Sequence, residues 1–204
     1  LRPVAIEAGW IAAGDGLCKQ RSFEEVRRPP KGWSRPILGN GGDAMSIKAG
    51  DKIPTVNLKT KTAEGIQDVK PDELFGGKTV VLFAVPGAFT PTCSAKHLPG
   101  YVTKAGDLKG KGVDAIACLS VNDAFVMDAW GKDQKVGDNV LMLADGNGDF
   151  TKAMGQVMDG SGYGMGNRSK RYAMVVKDGV VKDLFVEEPG QFEVSSAEYV
   201  LGKL

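Results

Sequence analysis

Thr79-Val80-Val81-Leu82-Phe83-Ala84-Val85, followed without a break by Pro86-Gly87-Ala88-Phe89-Thr90-Pro91-Thr92-Cys93-Ser94, is the stretch around which the rest of the chain can be ordered. The apolar run reads as a buried strand, which Pro86-Gly87 ends sharply. The segment after it leads into a helix starting at Thr92 or Ser94 and running to about Leu108. Cys93 therefore falls at the positive end of that helix, where a thiolate is favoured. Pro91 has no amide proton, and the amides of Thr92, Cys93 and Ser94 are candidates for the unpaired donors of the first turn.

Working outward, Val56 to Lys59 and Ile66 to Val69 read as two short strands, and Pro71 to Phe75 as a brief helix ended by Gly76-Gly77. Beyond the cysteine helix, Val113 to Val121 is a second buried strand with Cys118 inside it, and Asn122 or Asp123 caps a helix from Ala124 to about Gln134. Val140 to Ala144 is a third strand, Phe150 to Met154 a short helix, and Tyr172 to Val176 with Val180 to Val186 a hairpin over Lys177-Asp178-Gly179. A last helix runs from about Ser195 to Leu201. Alternating strands and helices predict an α/β domain with three parallel middle strands, an antiparallel closing hairpin, and helices on both faces of a central mixed sheet. That arrangement looks like the thioredoxin fold. In such sheets ligands and catalytic groups gather at the carboxyl ends of the strands, where the loop from Pro86 to Thr92 leaves.

The 204 residues, 42% of them apolar, suffice for one domain and an appendage. Twenty-six basic against twenty-five acidic residues give a formal charge of +1, which offers no field for nucleic acid or an anionic membrane. No apolar stretch approaches the ~18–20 residues of a membrane span. Three widely spaced cysteines, Cys18, Cys93 and Cys118, suit neither a disulfide scaffold nor a paired zinc site, and the single histidine, His97, follows Cys93 by four residues.

Residues 1–45 differ in texture, with four prolines, seven glycines and the isolated Trp10 and Trp33, and are expected to form an irregular N-terminal arm. Ala5 to Ala13 and the stretch from Ser22 to Arg28 can each form a short helical turn within it. Residues 46–204 form the α/β domain. A chain that begins at Leu1 leads to the expectation that a targeting peptide has been removed, which favours a mitochondrion or chloroplast over the cytoplasm.

The spacing Pro86-x-x-x-Thr90-x-x-Cys93, continued by Ser94 and by His97-Leu98-Pro99-Gly100-Tyr101, resembles the signature of peroxiredoxins of the type II, peroxiredoxin-5-like branch. Two further blocks are similar to the same branch, Ser120 to Met127 with Trp130, and Arg168 to Val176. The resemblance covers about residues 46–204. It implies a thiol-dependent peroxidase that reduces hydrogen peroxide and small alkyl hydroperoxides with no metal or cofactor, passing through a Cys93 sulfenic acid. In it Cys93 is the peroxidatic cysteine, Thr90 the peroxide-binding hydroxyl, Arg171 the guanidinium near the sulfur, and Pro86 a shield. The Thr90 hydroxyl is expected to accept from the peroxide and to donate toward the thiolate.

Cys118 matches the second cysteine of plant-like type II members, and two readings stand: a resolving cysteine, or an apolar residue packed mid-strand. The recycling thiol is expected from glutaredoxin, glutathione or thioredoxin. A homodimer through the region of Phe89 and Leu98 is also suggested by the resemblance. A competing function is a structural or redox-sensing subunit held on a larger assembly by residues 1–45. General dithiol exchange is disfavoured, because Cys93 has no Cys-x-x-Cys partner. His97 is expected to pack beside the site, Gly160 to Gly166 to form a surface loop, and Asp145 to Asp149 to be a turn capping the next helix rather than a calcium loop.

Overall fold

The computed structural model describes residues 46–204. The expected arm, its two helical turns and Cys18 lie outside the described residues. In chain order the elements are strands β1 (Leu58–Thr62) and β2 (Gly65–Val69), helix α1 (Pro71–Phe75), strand β3 (Thr79–Val85), a π-helical turn (Cys93–His97) running into helix α2 (Leu98–Gly110), strand β4 (Ala115–Ser120), helix α3 (Ala124–Asp133), strand β5 (Leu141–Ala144) and helix α4 (Asp149–Ala153). Strands β6 (Val157–Asp159), β7 (Asn167–Ser169), β8 (Tyr172–Lys177) and β9 (Val180–Val186) and helix α5 (Ala197–Leu201) complete the domain.

Seven strands form one mixed sheet in the order β2-β1-β5-β4-β3-β8-β9. The three middle strands are parallel, and β8 lies antiparallel against the other side of β3. The thioredoxin-like α/β fold with helices on both faces is therefore as the sequence predicts. Alternation along β3 distributes its side chains between two cores. Val81, Phe83 and Val85 join Leu98, Tyr101, Ala105 and Leu108 of α2, Met127 and Trp130 of α3, and Ala197 and Val200 of α5. Val80, Leu82 and Ala84 join Leu74 and Phe75 of α1 and Phe150 of α4 on the opposite face. The spacing of the buried residues of α2 is that of one helical face.

Local chemistry explains the element ends. Asp123 caps α3 by accepting from the amides of Phe125 and Val126. The Asp145 carboxylate accepts from the amides of Phe150 and Thr151, so this acidic turn caps α4 as expected. The β8–β9 turn places Asp178 and Gly179 at φ 48° and 71°, the left-handed pair that a two-residue hairpin requires.

Four details differ from the sequence reading. Strand β1 lies at Leu58–Thr62 instead of Val56 to Lys59, because its threonines and lysines pair along β2, from Leu58 with Val69 to Thr62 with Gly65. Strand β4 is trimmed to Ala115–Ser120. The flanks of the Gly160 to Gly166 loop pair with each other, Val157 with Ser169 and Asp159 with Asn167, a short ribbon that no alternation in the sequence announces. Leu98 is not at a surface: it has no exposed area and sits in the core beneath α2, so it offers nothing to a partner, whereas Phe89 is 54% exposed. Among the described residues no helix is long and apolar enough to cross a membrane.

Candidate active site

The loop leaving β3 turns sharply at half-buried Pro86 and buried Gly87. A Cβ on Gly87 would stand 3.1 Å from Thr90 Cγ2, a tight approach, and in ordinary contact at 3.7 Å with an Arg168 nitrogen, so glycine gives Thr90 room to close on the loop. Asn122 tethers the same loop: its Oδ1 accepts from the Ala88 amide at 3.0 Å and from the Ser120 hydroxyl at 2.7 Å. In the sequence Asn122 reads as a helix cap, a task that falls to Asp123. Phe89 adopts φ 60°, an uncommon conformation for a bulky residue, and its ring lies 6.5 Å from that of Trp130.

Cys93 opens the π-helical turn, whose wide closure is seen in the Leu98 amide reaching back to the Cys93 carbonyl. The amide of Ser94 is used, donating to the Thr90 carbonyl at 3.0 Å. Among the described residues no backbone acceptor outside their helix meets the amides of Thr92 and Cys93, which leaves those two as donors at the helix start. Trp130 Nε1 donates to Ser94 Oγ at 3.0 Å and so fixes the first turn against α3.

Thr90 and Arg171 reach the sulfur from different directions. The Thr90 hydroxyl donates to the Gly87 carbonyl at 2.9 Å, which corrects the expectation that it donates toward the thiolate. A hydroxyl has one proton, and with that proton committed its lone pairs are left to accept. Arg171 comes from the chain just before β8. The pairing of Ala84 with Tyr172 sets it beside the end of β3, and alternation turns it to the α2 face, because Tyr172 belongs to the opposite core. Its Nη2 donates to Cys93 Sγ at 3.5 Å across 78 residues of sequence. Arg168, three residues earlier, instead braces the loop by donating to the Val121 and Met165 carbonyls.

The histidine is closer to the chemistry than its sequence suggests. Arg171 Nη1 donates to His97 Nδ1 at 3.0 Å, and because a guanidinium can only donate, Nδ1 must be unprotonated. Nε2 then carries the proton and donates to the Ser195 carbonyl at 3.0 Å, an oxygen that also accepts from the Tyr101 hydroxyl at 2.9 Å. Burial first, and the Arg171 charge second, lower the His97 pKa to about 3, so the ring stays neutral. His97 and Tyr101 follow Cys93 at helical intervals of four, the one sequence signal that grouped them. Nothing in the sequence marked Ser195 or Glu187.

Cys118 faces the same core as Cys93 but lies in the middle of β4 with no exposed surface. Burial, with nearby Cys93 second, pushes its thiol well above the ordinary range. Among the described residues no three His, Cys, Asp or Glu side chains gather as a metal site.

A buried cysteine at a helix start, met by an arginine across a thioredoxin-like sheet, defines a class of cysteine-based redox enzymes. The model of the redoxin family matches residues 48–201. The chain is 52% identical to the chloroplastic peroxiredoxin-2E of Arabidopsis thaliana over 163 residues, covering 78% of this chain and 70% of that protein. It is 48% identical over 160 residues to the hybrid peroxiredoxin hyPrx5 of Haemophilus influenzae, covering 77% of this chain and 66% of that one. Among solved structures, the reduced Prx3 of Vibrio vulnificus in complex with hydrogen peroxide superposes with a TM-score of 0.75 at 56% identity, over 77% of this chain and 98% of that one. The chain belongs to the redoxin family and, within it, to the type II peroxiredoxins. It is a thiol-dependent peroxidase, and the reading as a structural or sensing subunit is not favoured.

Proposed function

We propose that Cys93 is the peroxidatic cysteine and that Thr90, Arg171 and Pro86 complete its site. The observation that carries this is the 3.5 Å contact from Arg171 to the sulfur, made by a residue that only the sheet register brings there. The Cys93 thiolate attacks one peroxide oxygen, an S–O bond forms as the O–O bond breaks, and the other oxygen leaves, takes up a proton and departs as water or alcohol. Sulfur is oxidised to the sulfenic acid and the peroxide is reduced. Thr90 accepts from the peroxide's own hydroxyl, the free amides of Thr92 and Cys93 and the Arg171 guanidinium hold the charge spreading over the oxygens, and Pro86 limits water. Hydrogen peroxide and small alkyl hydroperoxides suit so confined a sulfur. No metal or prosthetic group is required by these steps.

An external thiol returns the sulfur to its reduced state: it displaces the sulfenic oxygen as water and leaves a mixed disulfide, which a second thiol reduces. Glutaredoxin, glutathione or thioredoxin would supply it. Burial of both sulfurs supports the reading of Cys118 as a packed residue, because resolution within the chain would need β4 or the first turn after Thr92 to open. The name of the Arabidopsis relative supports a chloroplast among the organellar locations. Exposed Phe89, at 54%, supports a homodimer through its surroundings. Residues 1–45 are read as an extension preceding the enzymatic domain of 46–204.

Mixing reduced protein with one equivalent of hydrogen peroxide and following thiol loss by mass spectrometry tests the assignment. Fast loss at Cys93, absent in Cys93→Ser, is the expected result; fast consumption of peroxide by Cys93→Ser would end it. The mass of the product separates a Cys93–Cys118 disulfide from a glutathione adduct.

A further inference from the structure

We infer that Glu187 is a positioning residue for peroxide reduction, acting on Arg171 through Ser195 and His97; this rests on the reading of Cys93 and Arg171 given above. Glu187 follows the last residue of β9, and its amide donates to the Arg171 carbonyl at 3.0 Å, so the two residues lie side by side just beyond the end of the β8–β9 ladder. Its side chain turns away from solvent, with 9% of the residue exposed. One oxygen, Oε1, accepts three hydrogen bonds: from the Glu193 amide at 2.7 Å, from the Ser195 amide at 2.8 Å and from the Ser195 hydroxyl at 2.7 Å. Among the described residues no lysine or arginine pairs with it, so these donors hold the buried carboxylate.

Donor bonds to a carboxylate are among the strong ones, and three on one oxygen fix the segment from Glu187 to Ser196 as a closed loop. That loop reaches the arginine by two routes, one direct and one through His97. Phe192 lies inside it, with the Arg171 guanidinium carbon 5.8 Å from its ring centre and the His97 ring 5.0 Å away. The Ser195 carbonyl, aimed by the clamp on its own amide and hydroxyl, accepts from His97 Nε2 and the Tyr101 hydroxyl. That bond sets the tautomer in which Nδ1 accepts from Arg171, and Arg171 in turn points Nη2 at the Cys93 sulfur. An arginine has a long, freely rotating stem, and its effect on a reacting sulfur depends on holding one rotamer. Glu187 supplies that restraint from beyond the site: it does not touch the sulfur, the substrate or the guanidinium, yet each link between them is a short contact.

The test is the rate constant for oxidation of reduced protein by hydrogen peroxide, measured by stopped flow in wild type, Glu187→Gln, Glu187→Ala, Arg171→Lys and the double variants. Glu187→Ala is expected to slow oxidation about tenfold, the equivalent of one lost hydrogen bond to a charged group. Glu187→Gln keeps an acceptor oxygen at the same place without the charge, and is expected to lose about threefold and to remain folded. In the Arg171→Lys background both losses should vanish, because the guanidinium they act through has gone. A purely structural role would give the same factor in both backgrounds. Wild-type oxidation rates in Glu187→Gln overturn the inference, as does a loss of equal size in the Arg171→Lys background; if Glu187→Ala does not fold, the Gln pair decides. The wild-type arm reports separately on the underlying reading: without fast loss of the Cys93 thiol there, it is the assignment of Cys93 that fails.

Discussion

Acid should weaken this fold through a single imidazole. His97 is the one histidine of the chain and has no exposed surface. Arg171 faces it from the β8 side, Ser195 and Phe192 from the loop before α5, Tyr101 from α2 and Phe83 from β3. Its pKa lies at about 3 in the folded protein against an ordinary value of 6.5. Between those values the unfolded chain binds the proton that the folded chain refuses, so unfolding becomes easier as pH falls through the window. The stability is fully present above about pH 6.5 and lost as pH approaches about 3. At ~1.4 kcal/mol per unit the full shift sets a ceiling of about 4–5 kcal/mol, of which about 2 kcal/mol should disappear between about pH 6 and about pH 4. Carboxylates titrate in part of the same range, so the measurement needs a matched reference. His97→Gln provides one, with an amide oxygen for Arg171, an amide proton for Ser195 and no titration. Urea unfolding of both proteins across the window should give a steeper dependence in the wild type, by about one proton per molecule. Parallel curves would refute the argument that His97 is buried as a neutral acceptor.

Three further outcomes follow from the geometry. Thr90→Val removes the accepting oxygen while keeping the shape, and steady-state assays with hydrogen peroxide should show kcat/KM falling about a hundredfold, with Thr90→Ser keeping most activity; equal activity in Val and wild type would remove Thr90 from the site. Cys118→Ser should leave the rate of the first oxidation of Cys93 unchanged while costing about 1–2 kcal/mol in urea unfolding, since it buries a hydroxyl in an apolar strand; an abolished turnover with intact first oxidation would instead identify Cys118 as resolving. Leu98→Ala should cost about 2–4 kcal/mol without changing the molecular mass in solution, whereas Phe89→Arg should leave stability nearly unchanged and shift any dimer toward monomer by light scattering.

Contiguous residues carried their own instructions. The apolar run from Thr79 to Val85, the Pro86-Gly87 stop and the Thr90-Pro91-Thr92-Cys93 approach to a helix announce a nucleophile at the carboxyl end of a central strand, because burial pattern, turn chemistry and capping are local properties. The order of strands and helices, and the Lys177-Asp178-Gly179 hairpin, were legible for the same reason. What the sequence leaves open are contacts made across long separations. Two arginines, Arg168 and Arg171, stand three positions apart; the family resemblance singles out Arg171, but it is the pairing of Ala84 with Tyr172 that physically carries it to Cys93. Leu98 and Phe89 look alike as exposed candidates until the helix turns one into the core and the loop leaves the other at the surface. The protonation of His97 and the task of Glu187 have no local signature, since each is set by partners brought from other elements. The sequence placed the sulfur; the register of β8 on β3, and the loop folded back after β9, gave it its neighbours.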